Sequence, residues 1–259
     1  MKRSPLVYLL YSLFAGPVLF ILVYSLSSQW LFPRIWPEFT IDHWQGMLLG
    51  KSGILKSLGL SLALSAFMGI LSTGLGFITS RYLFYGTKGG LWLRLAYLPF
   101  ALSPIIYAIS IHFYFNTIGL SASVPGVMLA QLFILYPYSI ILFSTFWNAR
   151  VLGFEQMVAT HGGSRIAQWK HGIWPLARQV VILSLIQCFL ISWFDFGMTQ
   201  YIGVGKVKTL TIQVYQMVNE ANPYMAAVAS SLLLIPMLIL LYVNRLFVLN
   251  KAYSVGQSS

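Results

Sequence analysis

A helix that crosses a bilayer needs about 20 apolar residues to match a hydrocarbon core about 30 Å thick. This chain supplies such a window six times, at 6–27, 55–78, 95–115, 124–146, 180–198 and 225–247. Sixteen basic and five acidic residues in 259 cannot cover a globular surface with charge, so the predicted class is an all-α, polytopic membrane protein, one transmembrane domain over 1–259. The net charge of +11 would suggest nucleic acid in a soluble domain, but here the bases border apolar spans. The lipid headgroup is therefore the expected partner, and nucleic acid is not.

Lys2 and Arg3 before an apolar run, with Ser25 and Ser27 after it, resemble a secretory signal. That run exceeds the usual signal core, and it is read as an uncleaved first span. With the N-terminus inside, Lys2, Arg3, Arg81, Lys88, Arg94, Arg150, Arg165, Lys170, Arg178, Arg245 and Lys251 fall on the inner side. Arg34, Lys51, Lys56, Lys206 and Lys208 fall outside, so the positive-inside rule places both termini in the cytoplasm.

Inside the spans the residues that break the apolar pattern are few. Ser57, Ser61, Ser65, Gly69 and Thr73 recur every fourth residue and form one narrow stripe, expected to serve close helix packing within the chain. Pro99 and Pro104 in the third span and Pro137 in the fourth each remove a backbone donor, which predicts kinks. His112 and Gln187 are expected to hydrogen-bond between helices, and Asp195, near the outer end of the fifth span, must face protein or water. For Asp195 two readings stay open, a helix cap and a group on a pathway. Together Pro99, Pro104, His112, Pro137, Gln187 and Asp195 are the candidate translocation pathway.

No Ser/His/Asp set, paired carboxylates or metal-ligand spacing emerges. His161 and His171 have no third ligand nearby, and the single cysteine, Cys188, allows neither an internal disulfide nor a cysteine cluster. The chain is not read as an enzyme, and no cofactor is expected on it.

One polar stretch stands apart, EQMVATHGGSRIAQWKHGIWP at 155–175, on the inner side between the fourth and fifth spans. EQMVATH suits two turns of helix, Gly162 and Gly163 break it, and Ser164 can cap a second helix running towards Pro175. At this point the sequence resembles the permease subunits of type I ATP-binding-cassette importers, the family with the methionine-importer-like fold. Their cytoplasmic loop carries E-A-A-x-x-x-G, nine residues, then I-x-L-P, and forms the coupling helix that docks on the ATPase subunit. The glycine falls on Gly162 and the proline on Pro175, at the spacing of that pattern. The glutamate position holds Gln156 beside Glu155, the alanines are Met157 and Val158, and the isoleucine and leucine positions are Gly172 and Trp174. YLPFALSP, LYPYS, GVGKVKTLTIQVYQM and NPYMAAVASSLLL extend the resemblance over about 55–247, nearest the polyamine, thiamine, ferric-iron and phosphonate group.

The resemblance implies six transmembrane helices with a coupling helix in the loop 150–178. It implies a pair of ATPase subunits that carry ATP and Mg, a second permease, and a periplasmic solute-binding protein. The substitutions in the motif favour a different second permease, a heterodimer, over a copy of this chain. The coupling residues implied are Phe154, Glu155, Gln156, Met157, Val158, Ala159, Gly162, Gly163, Ser164 and Pro175, with Phe154, Met157 and Val158 filling a groove. The competing class is an ion-coupled secondary transporter or channel, which needs ion-coupling groups near mid-membrane.

Overall fold

Proline chemistry decides where the third expected span ends. In the computed structural model, which describes residues 5–28, 30, 36–50, 53–86 and 89–244, this span is a broken pair. Gly89–Ala101 and Pro104–Thr117 meet at 97°, so a kinked continuous span is not what forms. Pro99 sits in a 3-10 turn, Leu98–Ala101, and Leu102 is extended at φ −113° and ψ 148°. Ser103 precedes Pro104, whose ring disfavours a helical ψ in its neighbour, and Ser103 takes ψ 141°. Two successive residues are thereby removed from helical geometry, and the direction of the chain changes.

The elements are α1 (Pro5–Ser25), α2 (Asp42–Leu48), α3 (Ile54–Tyr85), α4 (Gly89–Ala96), α5 (Pro104–Thr117) and α6 (Val124–Ser144). They continue with α7 (Ala149–Thr160), α8 (Arg165–Ala167), α9 (Trp174–Trp193), α10 (Gly197–Gly203), α11 (Leu210–Asn219) and α12 (Pro223–Asn244). A wide π turn, Gln168–Ile173, joins α8 to α9. Among the described residues there is no strand, only an isolated bridge between Ser27 and Phe39. Among the described residues, four helices are long and apolar enough to cross a membrane: 54–85, 124–144, the continuous run 165–193, and 223–242; the bent pair makes a fifth candidate. The protein is an all-α polytopic membrane protein, and α1 falls on the first expected span. Lys2, Arg3, Arg34, Lys51, Lys88, Arg245 and Lys251, and the end of the sixth expected span, lie outside the described residues.

The chain divides into two compact units, Met1–Ser61 with Lys208–Leu238, and Leu62–Val207 with Ile239–Ser259. In the first, Tyr24 stacks on Tyr224 at 4.9 Å, and the Tyr224 hydroxyl accepts the Trp30 N–H at 2.8 Å. Ser61 of α3 accepts the Leu210 N–H at 2.7 Å, which ties α3 to the start of α11. In the second, the lower part of the small-residue stripe is packed as expected. A Cβ on Gly69 would stand 3.4 Å from the backbone of α9 at Leu185 and Phe189. Thr73, Ser139 and Ser184, one each from α3, α6 and α9, form a buried hydroxyl chain with both links at 3.2 Å.

At Gly76, α3 runs directly against α6. A Cβ there would lie 2.2 Å from the Ser139 hydroxyl oxygen and 3.0 Å from the Ser139 carbonyl carbon. Gly76→Val should therefore force the helices apart at a cost of about 1–3 kcal/mol, read as a lower thermal unfolding midpoint in detergent, whereas Gly74→Val, with nothing near its Cβ, should not.

Candidate functional site

The polar stretch folds as a helix, a glycine turn and a second helix, all within the second unit. Asn148 opens α7, its side-chain oxygen accepting the Arg150 N–H at 3.0 Å and the Val151 N–H at 3.1 Å. Such a cap is worth about 1 kcal/mol. The helix closes with paired bonds, Gly163 N–H to the Val158 carbonyl and Gly162 N–H to the Ala159 carbonyl, both 3.0 Å. That is a Schellman ending, and it needs a left-handed residue after the cap. Gly162 supplies it at φ +76°. Gly163 is required for another reason, since a Cβ there would stand 2.6 Å from the Val158 carbonyl oxygen. Ser164 then caps the next turn by accepting the Ala167 N–H at 3.3 Å.

Pro175 explains the π turn that follows. It has no N–H to offer His171 and its ring crowds that carbonyl, so the chain widens ahead of it. Trp174 donates to the Trp169 carbonyl, five residues back. The second helix is thus continuous with α9 and forms one run of 29 residues from Arg165 to Trp193.

The faces of α7 divide the coupling residues. Gln156, Met157, Ala159 and Gly162 are exposed, Met157 at 51%. Phe154 and Val158 are half-buried against the chain itself, where a Cβ on Gly172 would be 3.6 Å from both the Phe154 carbonyl and the Val158 side chain. The π turn thus lies against this flank of α7. Glu155 also turns inward and forms an ion pair with Arg81 of α3, while its other oxygen accepts the Tyr85 hydroxyl at 2.9 Å. Ile166, 79% exposed, is a second exposed apolar group beside the expected Met157, and one the sequence did not single out. Beneath α7 lies a core of Phe77, Phe143, Phe146, Trp147, Val151, Ile173 and Ala177, with Phe77 and Phe143 edge to face at 5.0 Å.

A second feature is a cavity of about 340 Å³ whose polar lining includes Asp195, Gln131, Ser192 and Ser103. Asp195 Oδ2 accepts from Gln131 Nε2 at 3.1 Å, from the Thr199 N–H at 3.0 Å and from the Thr199 hydroxyl at 2.7 Å. Oδ1 accepts the Met198 N–H at 3.2 Å, and Ser192 donates to Gln131 Oε1 at 2.6 Å. Asp195 is therefore at once the cap of α10 and part of a cavity wall. Pro104 lines the same cavity, while Pro99, His112, Pro137 and Gln187 are not in its wall. Gln187 accepts the Tyr138 hydroxyl, a bond between α9 and α6. His112 departs from expectation: its Nδ1 is buried without a hydrogen-bond partner among the described residues. Pro137 lies within α6, which runs on to Ser144. Gln131 and Ser192 were missed from sequence, although a lone amide in LAQLFIL was a readable signal.

No family model matches the chain. The molybdenum transport system permease proteins ModB of Mycobacterium bovis and Mycobacterium tuberculosis are each 31% identical over 156 residues, 53% of this chain and 57% of theirs. The chain thus spans a little over half the length of these curated relatives. A bacterial ABC transporter involved in the import of the acidic polysaccharide alginate superposes at a TM-score of 0.60 and 12% identity, over 92% of this chain and 94% of that one. A bacterial alginate ABC transporter in complex with an alginate pentasaccharide-bound periplasmic protein gives 0.64 and 13%, over 92% and 93%. The chain shares the fold of these ABC transporter chains.

In this fold the Asp195 network gathers the Gln131 amide, the Met198 and Thr199 N–H groups and the Thr199 hydroxyl around one carboxylate. Asp195→Leu strands the Gln131 amide and two backbone N–H groups, each costing about 1–3 kcal/mol when buried. Asp195→Asn keeps an oxygen for them. We expect the thermal midpoint in detergent to fall several-fold further for Leu than for Asn; equal losses would mean that the carboxylate is not the hub.

Proposed function

We propose that this chain is the permease subunit of an ATP-driven importer. It would move a small polar solute, delivered by a periplasmic binding protein, across the bacterial cytoplasmic membrane. The observation that carries the reading is the helix, left-handed glycine turn and capped second helix at 149–167, exposed along Gln156, Met157, Ala159 and Gly162. A short amphipathic knob ending in a fixed turn is a shape a soluble partner can grip, and the fold likeness and the ModB resemblance support the same assignment.

In this reading both termini and α7 face the cytoplasm, and α7 docks on one member of an ATPase pair, where ATP and Mg are bound and hydrolysed. A second permease completes the path, a different chain in preference to a copy of this one, because the motif at 156–158 departs from the pattern. ATP-driven closure of the ATPase pair displaces α7, and the spans switch between inward and outward states because each state binds its partners differently. Asp195, Gln131 and Pro104 form a polar corner of the solute path, and Met157 is the apolar contact of the docked knob.

Affinity purification of the full chain in mild detergent from its host tests this. An ATPase subunit should co-purify with measurable ATP hydrolysis. Met157→Glu and Gly162→Val should reduce its recovery at least fivefold while membrane insertion persists, and Gly162→Asn, which tolerates the left-handed region, should retain it. Purification of the chain alone, without ATPase activity, would overturn the reading.

A further inference from the structure

Arg81, in the last turns of α3, has a guanidinium that touches three elements at once. It is paired with Glu155 of α7, and its central carbon stands 4.8 Å above the Trp169 ring of the π turn. It also lies 6.0 Å from the Trp147 ring, and Trp147 donates its indole N–H to Ser80 of α3 at 2.9 Å. Tyr85, one turn beyond Arg81, holds the second oxygen of Glu155 at 2.9 Å. Both carboxylate oxygens of the one acid in α7 are thus tied to α3.

The directions of these contacts matter more than their number. An ion pair acts in the plane of the guanidinium and an aromatic ring acts on its face, so one arginine resists both sliding and rotation of its neighbours. Lysine, a point charge on a flexible stem, would resist neither so well. Elsewhere α7 is held by apolar packing, Val151 in the aromatic core and the Val158 side chain against Gly172, and such packing permits sliding. Glu155 is only 15% exposed and faces away from Met157, so the pair is free to work while the outer face of α7 is occupied.

Resting on the importer reading, we infer that Arg81 is a positioning residue that locks α7 and the end of α3 into one rigid lever, so that a partner's displacement of α7 is delivered to the second span. Without the lock, α7 would move against α3 and the displacement would dissipate in the loop.

The test uses the complex as purified from the host and reconstituted in liposomes, with nitroxides at Tyr82→Cys and Gly153→Cys, both exposed, and the distance between them measured with and without Mg-ATP and vanadate. With Arg81 present the distribution should stay narrow and unshifted between the two states. In Arg81→Ala its width should at least double on adding nucleotide, Arg81→Lys should fall between, and the exchange Arg81→Glu with Glu155→Arg should restore the narrow form. Glu155→Gln, which keeps the side-chain shape, carries the same expectation should Arg81→Ala fail to insert. A narrow distribution in these variants, or a nucleotide-driven shift with Arg81 in place, overturns the inference. Absence of an ATPase subunit from the unsubstituted preparation instead overturns the importer reading and the inference with it.

Discussion

Lipid chains are as apolar as leucine, so the drive that packs a soluble core is missing between helices in a bilayer. What holds these spans is close approach at positions where side chains shrink. Along α3, Gly69 meets the backbone of α9, Gly76 meets Ser139 of α6, and Thr73 continues into the hydroxyl chain through Ser184 to Ser139. Each hydroxyl satisfies another, so three polar groups are buried without an orphan among them. Larger residues on this row would separate the helices and leave those hydroxyls in an apolar medium.

The same helix carries the polar stretch. Beyond Gly76, α3 reaches Phe77, Ser80, Arg81 and Tyr85, and each of these contacts α6, α7 or the residues between them. The aromatic cluster is apolar where Phe77 meets Phe143 and becomes polar one turn later at Arg81, which grades the transition from span to surface. The π turn belongs to the same construction. Pro175 requires a widened turn, the widened turn sets Trp169 over Arg81, and Gly172 lets α7 lie against it.

Much of this was legible in the chain because it depends on local chemistry. Gly162, Gly163 and Ser164 specify a helix stop and a restart by backbone conformation and capping alone, and α7 and its successor appear there. The four-residue spacing of Ser57 to Thr73 read directly as a packing face. The missing features depend on distant partners or on direction. Hydropathy is blind to orientation, so a 97° break inside an apolar run looks the same as a kink. Arg81 and Glu155 lie 74 residues apart; from sequence Arg81 reads as a loop charge and Glu155 as a docking residue, and only the fold pairs them, with α3 running on to Tyr85. Gln131 likewise means little until Ser192 and Asp195 stand beside it.

The two readings of Asp195 need not compete. A broken backbone in an apolar span is tolerated where it is packed in protein or lines a cavity, and both conditions hold here. The break before Pro104 and the start of α10 come together, with a Cβ on Gly197 only 3.0 Å from Ile105. The donors left over by the new helix start at Met198 and Thr199 need an acceptor, and the Asp195 carboxylate satisfies them. A carboxylate so held is fixed in place by its structural work. It also stands in the wall of a cavity, so on the proposed importer reading the group that caps α10 is the one a solute entering there would meet. Under the same reading, capping would serve as the preorganisation of the polar corner, because a carboxylate held by Gln131, Met198 and Thr199 cannot swing freely.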